Sequence, residues 1–245
     1  MIDTKYYERF LVKLIRQPMP IKTLSKIVSR KSKSMRSSIP KFSKEFSAQM
    51  VIFARLYPAN TDWTVISKHC RLNKHDLEWM NEMLDWDIIS ETQYLDEETI
   101  HANVDKVNWF KIIKYQHLSQ DFIRAHQQYF HLKWDMLCMY QRFSEDFIEE
   151  FLNFIPWDSI SRYQTLHEDF IRRHILEFNW SEMSWYQRLS EDFIEEFKHL
   201  VDWNGICLKQ KMSEGFILKM LTYVNKKYIM FSQDISKEFA EKYLQ

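Results

Sequence analysis

Nine histidines, three cysteines and 34 Asp or Glu residues are the side chains in this 245-residue sequence that could hold a metal or move a proton. A metal site needs ligands repeated on one helix face, as in H-E-x-x-H, or thiols at CxxC spacing. His117, His126 and His131 lie close in sequence but make no i, i+4 pair. Cys70, Cys138 and Cys207 are far apart and odd in number, so they form neither a disulfide framework nor a metal knuckle. Nucleophilic catalysis needs a Ser/His/Asp or Cys/His set, and none stands out. A phosphate-cradling loop or a fold rich in tight β-turns can hardly be built from 2 glycines. Rossmann, P-loop and β-sandwich folds are thereby disfavoured. The expectation is a chain that is not an enzyme and carries no cofactor and no metal.

The residues that do recur are structural. Tryptophans fall at 63, 86, 109, 134, 157, 180 and 203, in steps of 23 except for one step of 25, and a further step of 23 lands on Lys226. A fixed period of this size marks a tandem repeat. Counting from the Trp, an N-cap residue sits at −1 (Asp62, Asp85, Asn108, Asn179, Asp202, Asn225), with Lys133 and Pro156 as exceptions. Apolar residues follow at +3, small or apolar ones at +4, and Gln at +7 in seven of eight units. Positions 0, 3, 4 and 7 form one face of a helix of about two turns, helix A. An apolar residue at +9 precedes a second N-cap at +10 (Asn73, Asp96, Ser119, Ser144, Ser190, Ser213, Ser236), where His167 is the exception. Acids then favour the positive end of helix B, and Phe at +13 with Ile at +14 supply its apolar face. Helices of roughly ten residues are marginal alone, so the units must stack.

The predicted fold is therefore all-α: an α-solenoid of tandem two-helix repeats over 42–245, with units starting near 63, 86, 109, 134, 157, 180, 203 and 226. The two-residue insertion within 127–133 should kink or locally loosen the stack. Residues 1–41 form a separate segment, with an amphipathic helix over 4–16 that ends before Pro18. The net charge of zero hides an asymmetry: residues 1–44 carry 12 basic and 2 acidic side chains, and the remainder 22 basic and 32 acidic. Charges break the first apolar run and no stretch approaches 18 apolar residues, so neither a signal peptide nor a membrane span is expected. With unpaired cysteines, an intracellular setting fits, in host cytoplasm, nucleus or virion, with no secretion.

The recurring W-x-x-I-S-x-Y-Q-x-L-S-E-D-F-I, best carried by Trp157–Ile171 (WDSISRYQTLHEDFI) and Trp180–Ile194 (WSEMSWYQRLSEDFI), resembles short helical repeats coded by large double-stranded DNA viruses of the mimivirus and marseillevirus kind and by some large phages. The resemblance covers about residues 62–245 and leaves residues 1–41 outside. It implies a viral origin and a binding or scaffolding role, and it supplies no catalytic residue.

Several columns are candidate sites. The Trp column reads as core, and the Gln column as structural, each carboxamide bonded to free backbone groups at the A–B turn or to its counterpart in the next unit, in a ladder. Tyr115, Tyr140, Tyr163 and Tyr186 at +6, with Trp185 at +5 expected to be the more exposed, form the candidate face for a protein partner; the competing reading is that these rings shield seams. Alternating charges at +15 and +16 (Arg124; Glu149 and Glu150; Arg172 and Arg173; Glu195 and Glu196) should oppose unlike charges in neighbouring units. His126 and His174, at +17, read as tucked core or seam residues. The basic stretch with Lys22, Lys26, Arg30, Lys31, Lys33, Arg36 and Lys41 suits phosphate contacts or an acidic surface. The leading expectation is a non-enzymatic scaffold that binds a host or virion protein. The alternatives are a nucleic-acid-associated protein acting through residues 22–44 and a structural virion component.

Overall fold

The computed structural model describes residues 41–244, which are all helix, turn and loop, without a strand. They fall in two compact units, divided between Leu118 and Ser119. The expected amphipathic helix over 4–16 and most of the basic segment lie outside the described residues.

The first unit opens with α1 (Lys44–Leu56) and continues with α2 (Trp63–His69), α3 (Lys74–Trp79), α4 (Trp86–Thr92), α5 (Glu97–Ala102) and α6 (Trp109–Tyr115). The second holds α7 (Gln120–Ala125), α8 (Trp134–Tyr140), α9 (Glu145–Glu150), α10 (Trp157–Tyr163), α11 (Glu168–Arg173), α12 (Trp180–Tyr186), α13 (Glu191–Glu196), α14 (Trp203–Lys209), α15 (Glu214–Lys219), α16 (Lys226–Ser232) and α17 (Lys237–Tyr243). Each helix A starts on its Trp, or on Lys226, and each N-cap falls where the spacing places it. Asp62, Asp85, Asn108, Asn179, Asp202 and Asn225 accept amide protons of the first turn of helix A. Lys133 and Pro156 provide no side-chain cap, and neither does His167 before helix B. A helices have 7 residues, the two turns their spacing implies, and B helices have 6 except for the last.

Within each unit, helix A of one repeat packs on helix A of the next: α2 on α4 on α6, and α8 through α10, α12 and α14 to α16. This is the stacking of an α-solenoid. Its deepest layer is the +3 column, where Ile66, Ile89, Ile112, Leu137, Ile160, Met183, Ile206 and Ile229 are fully enclosed. Ile at +14 and most of the Phe residues at +13 join them. The tryptophans lie one layer further out. Trp86 and Trp134 are buried, while Trp63, Trp109, Trp157, Trp180 and Trp203 are half-buried. Their rings lie against helix B and the linker after it: Trp180 is 5.4 Å from Phe197, and Trp157 is 4.9 Å from Phe178. The indole N–H donates to a backbone carbonyl five residues back, as Trp86 does to Asn81 at 2.9 Å and Trp203 to Lys198 at 2.9 Å. Trp is thus the core-edge residue, apolar on its ring and polar at its tip.

A further column at +21 completes the core: Leu84, Val107, Phe130, Ile155, Phe178, Val201 and Val224 are all buried. It explains the insertion. Phe130 keeps its place at +21, a 3₁₀ turn over Gln127–Tyr129 leads into it, and the extra residues bulge out beyond it with Leu132 exposed. Phe130 and Trp134 are both buried, so the core at the insertion is not loosened.

The seams close through the glutamines. Each Gln at +7 is the C-cap of its helix A, in extended backbone conformation, and within each unit the side chains of Gln93, Gln116, Gln164, Gln187, Gln210 and Gln233 reach back into the preceding repeat. Gln164 donates from Nε2 to the carbonyls of Cys138 at 2.6 Å and Gln141 at 3.0 Å, and its Oε1 accepts from Phe143 N–H at 3.0 Å. Gln187 does the same to Ser161, Gln164 and Leu166, and Gln210 to Ser184, Gln187 and Leu189. In the first unit Gln93 and Gln116 repeat the pattern. The +4 column adds a second tie. Ser67, Ser90 and Ser184 donate to the Trp carbonyl four residues back and accept from the backbone N–H of the next repeat's N-cap. Where that N-cap is Pro156, which has no N–H to donate, the +4 residue is Cys138 rather than serine.

Helix B has its own ties. Glu145, Glu168, Glu191 and Glu214 accept, at 2.5–2.7 Å, from the backbone N–H of the next repeat's N-cap: His167, Ser190, Ser213 and Ser236. The charge columns pair as expected, +15 of one repeat with +16 of the next: Arg124 with Glu150 at 2.7 Å, Arg173 with Glu149 at 3.5 Å and Arg172 with Glu196 at 2.8 Å. His126 is buried and stacked on Phe122, and His174 bonds Glu149 at 2.8 Å beside Trp157. His126 is tucked into the core of its own repeat, and His174 reaches across the seam to Glu149.

Replacing Gln164 with Met keeps length and removes its hydrogen bonds, which leaves the Cys138 carbonyl and the Phe143 N–H unpaired and the Gln141 carbonyl with Arg142 alone. At about 1–3 kcal/mol per orphaned group, the expected loss is about 2–5 kcal/mol by chemical denaturation followed by circular dichroism. The same change at Gln233, half-buried in the last repeat, is expected to cost about 1 kcal/mol, because water can reach the groups it leaves. Equal losses would contradict the ladder.

Candidate protein-binding face

With +0, +3, +4 and +7 committed to the core and the seams, helix A offers solvent the columns +1, +2, +5 and +6. The ladders hold these side chains in a fixed frame. Residue +5 of one repeat meets +2 of the next: Glu91 pairs with Lys111 at 3.2 Å, and Arg162 Nε bonds Glu182 at 2.7 Å. The +1 column joins in where Asp87 takes Lys111 at 2.7 Å and Asn108 at 2.6 Å, which together hold the Asp87 carboxyl below the usual range.

Trp185 occupies the same +5 position. It was expected to stand more exposed than the tyrosines, and it does not: it is half-buried. Its Nε1–H donates to Asp202 Oδ2 at 2.8 Å, and its ring lies over Gly205, the +2 residue of the next repeat. A Cβ on Gly205 would sit 2.8 Å from Trp185 Cδ1. Glycine inside a helix costs about 0.5–1 kcal/mol relative to alanine, so this position is spent on room for the indole. Trp185 is a seam residue on the face, and Lys209 Nζ stands 5.6 Å from its ring centroid.

The tyrosine column divides. In the first unit Tyr115 is 46% exposed, with Lys114 Nζ 5.0 Å from its ring. In the second, Tyr186 is 56% exposed, whereas Tyr140 and Tyr163 are half-buried. Arg162 spans two of these rings, 5.9 Å from Tyr163 and 5.5 Å from Tyr186. Beside it a groove of about 280 Å³ opens across α8, α10 and α12, lined by Asp135, Met136, Met139, Asp158, Tyr163 and Glu182 among others. Met139 lies 44% exposed in it. Asp158 accepts from the Asn179 amide at 2.9 Å, and neither it nor Asp135 meets a cation among the described residues. Asp135 and Asp158 stand one period apart in the sequence, a regularity that could have marked them beside Tyr163.

The remaining candidates fall elsewhere. Lys41 is described and half-buried, and its ammonium donates to the Cys70 carbonyl at 3.4 Å. Lys22, Lys26, Arg30, Lys31, Lys33 and Arg36 lie outside the described residues. The thiols are buried, and burial pushes both Cys70 and Cys138 up to about 12, so neither is a thiolate near neutral pH. No cluster of three His, Cys, Asp or Glu side chains that could hold a metal ion occurs among the described residues, and no helix among them is long and apolar enough to cross a membrane.

What fold and face define is a class: an α-helical repeat protein whose seams are closed by buried glutamines and whose helix-A face is free to vary. The chain matches no protein family, no curated protein and no solved structure.

The Trp185–Gly205 contact gives a direct test of that face's geometry. Gly205→Ala is expected to destabilise by about 1–3 kcal/mol despite its better helix propensity. In a Trp185→Leu background the same change should be neutral or stabilising. Denaturation of the two single variants and the double variant measures the coupling; additive effects would show that the two residues do not share the space.

Proposed function

We propose that this chain is a non-enzymatic, protein-binding repeat scaffold, encoded by a large DNA virus, whose helix-A face in the second unit takes a segment of a host or virion protein. The observation that carries the reading is the groove over α8, α10 and α12, where exposed Met139 and the edge of Tyr163 lie beside two carboxylates, Asp135 and Asp158, that have no cation of their own. Its chemistry suits a basic segment with one apolar anchor: a Lys or Arg for the carboxylates and an aliphatic or aromatic side chain against Met139. Tyrosine and methionine are favoured docking residues because they bury much area with little specific shape demand. The buried ladders support the reading from another side, since they hold a lateral surface rigid without using its exposed side chains. The viral origin rests on the resemblance of the repeat to those of large DNA viruses.

The test is affinity capture from host cells, with the purified chain compared with an Asp135→Lys, Met139→Lys double variant and bound proteins identified by mass spectrometry. Both positions are exposed, so the variant should keep the wild-type circular dichroism and melting. A partner retained by the wild type and reduced at least tenfold by the variant, through a basic segment that binds as an isolated peptide, supports the assignment. A partner captured equally by both proteins, or none captured by either, contradicts it.

A further inference from the structure

A second opening lies at the start of the first unit, and its character is the opposite of the first. It encloses about 410 Å³ and is lined by Lys41, Lys44, Arg71, Asn73, Lys74 and Tyr94 among others. Backbone ties build it. Phe42 N–H donates to the His69 carbonyl at 2.8 Å, Arg71 N–H to Ser47 Oγ at 2.9 Å, and Arg71 Nε to the Phe42 carbonyl at 3.1 Å. The segment entering α1 is thereby laced to the turn after α2, and Lys41 and Arg71 come side by side from positions 30 apart.

The charges of this opening are not balanced. Lys111, Arg124, Arg162 and Arg172 each have a carboxylate partner across a repeat seam, and within the opening Lys74 pairs with Glu98. Lys41, Lys44 and Arg71 form no ion pair among the described residues. Glu45, next to Lys44 in the chain, bonds the backbone and Ser43 at the start of α1 and feels the Lys44 charge more weakly. Arg71 spends Nε on Phe42, and among the described residues no bond engages its two terminal nitrogens. Burial holds the Lys41 ammonium down at about 8, and the Arg71 guanidinium beside it adds to the depression. Lys41, Lys44 and Arg71 thus bring three positive charges to an opening whose one lining carboxylate, Asp96, stands 3.8 Å from Lys74, and an anion completes such an arrangement.

The chain itself indicates what kind of anion. The 23 residues from Lys22 to Lys44 hold eight Lys or Arg and no Asp or Glu, and in sequence they lead up to Lys41 and Lys44 of the opening. A cation-rich stretch of sequence next to a cationic groove matches a polymer of phosphates better than a single phosphate. Tyr94 stands on the rim, 85% exposed, with its ring available to an unpaired base. We infer that this groove binds the phosphodiester backbone of a single-stranded nucleic acid, with Lys41, Lys44 and Arg71 on phosphates and Tyr94 stacked on a base. The inference uses no residue of the helix-A groove, so either proposal can fail without the other.

The test is fluorescence anisotropy of a labelled 20-nucleotide oligodeoxythymidine titrated with the full chain at several KCl concentrations. Binding at 50 mM KCl that weakens steeply with salt is expected. Lys44→Gln and Arg71→Gln should each weaken it about three- to tenfold and lower the slope of log K against log salt by about 0.7, one phosphate's share for a single strand. Tyr94→Ala should weaken binding roughly tenfold and leave the slope unchanged. Lys44 and Tyr94 are exposed, so their variants carry the test if Arg71→Gln, which also loses the bond to Phe42, fails to fold. Absence of binding at 50 mM KCl would overturn the inference. So would wild-type affinity and slope in both the Lys44 and Tyr94 variants, which would leave any binding to residues before Lys41. Equal competition by polyglutamate would overturn it as well, by showing that the groove accepts any acidic polymer.

Discussion

When helix A ends at +7, the chain turns and leaves two carbonyls and one N–H facing the next repeat without intrahelical partners. Buried and unpaired, such groups cost about 1–3 kcal/mol each. A carboxamide has two donors and an acceptor on one planar head, and Gln carries it far enough to reach all three groups across the seam, as Gln164 does for Cys138, Gln141 and Phe143. Asn would fall short, Glu would bring a buried charge with no donors, and Met would satisfy nothing. Because each Gln is also the C-cap of its own helix, its backbone continues the problem that its side chain solves for the repeat before. The ladder therefore propagates, and it requires the repeats to be alike at +4, +7 and +9 while leaving other positions free. It also explains how a chain with 2 glycines turns so often: helix A ends in extended backbone, helix B ends at negative φ with ψ near zero, as at Phe151, and side chains do the capping.

Two kinds of tie run along each unit. The ties common to the A helices are buried and uncharged, carboxamide to backbone and serine hydroxyl to backbone, with exposed ion pairs such as Glu91–Lys111 and Arg162–Glu182 added at single seams. On the helix-B side they are exposed and charged, with Glu to the next N-cap amide and Arg to Glu between +15 and +16. Exposed pairs contribute about 0–1 kcal/mol each and are screened by salt, so the helix-A side carries the stability and the helix-B side sets register. Function is then left to positions that neither set of ties uses. The +5/+2 contacts show that freedom, since the same geometric slot holds a Glu–Lys pair, an Arg–Glu pair and a Trp over a Gly.

Much of this was legible in the residues. The helix starts were marked by Asp, Asn and Ser at −1 and +10, and all of these proved to be caps, while the positions that broke the pattern, Lys133, Pro156 and His167, cap nothing with their side chains. The Gln column was legible as a ladder because a polar residue that recurs beside an apolar face must have a recurring partner. The +21 column was missed because it changes type, from Val to Phe, and the Trp column, read as core, lies outside the deeper +3 column. The two-turn length of helix A was legible in the 0, 3, 4, 7 spacing, and the extended backbone at +7 is what stops it there. Of the sites, the tyrosine column was visible but its exposure was not, since exposure depends on what +2 of the next repeat carries. Gly205 is the reason Trp185 lies flat. The cationic opening was the least legible part: Lys41 and Arg71 meet only because Phe42 pairs with the turn after α2, a contact no periodicity announces.

Amide hydrogen exchange at the +9 position tests the ladder most directly. Phe143, Leu166 and Leu189 N–H each have a glutamine Oε1 from the following repeat, while Ile235, at the same position in the last repeat, has no following glutamine among the described residues. Slow exchange at the first three with fast exchange at Ile235 is the predicted result. Exchange at Phe143, Leu166 and Leu189 as fast as at Ile235 would show that the carboxamides do not close the seams, and the account built on them would fall.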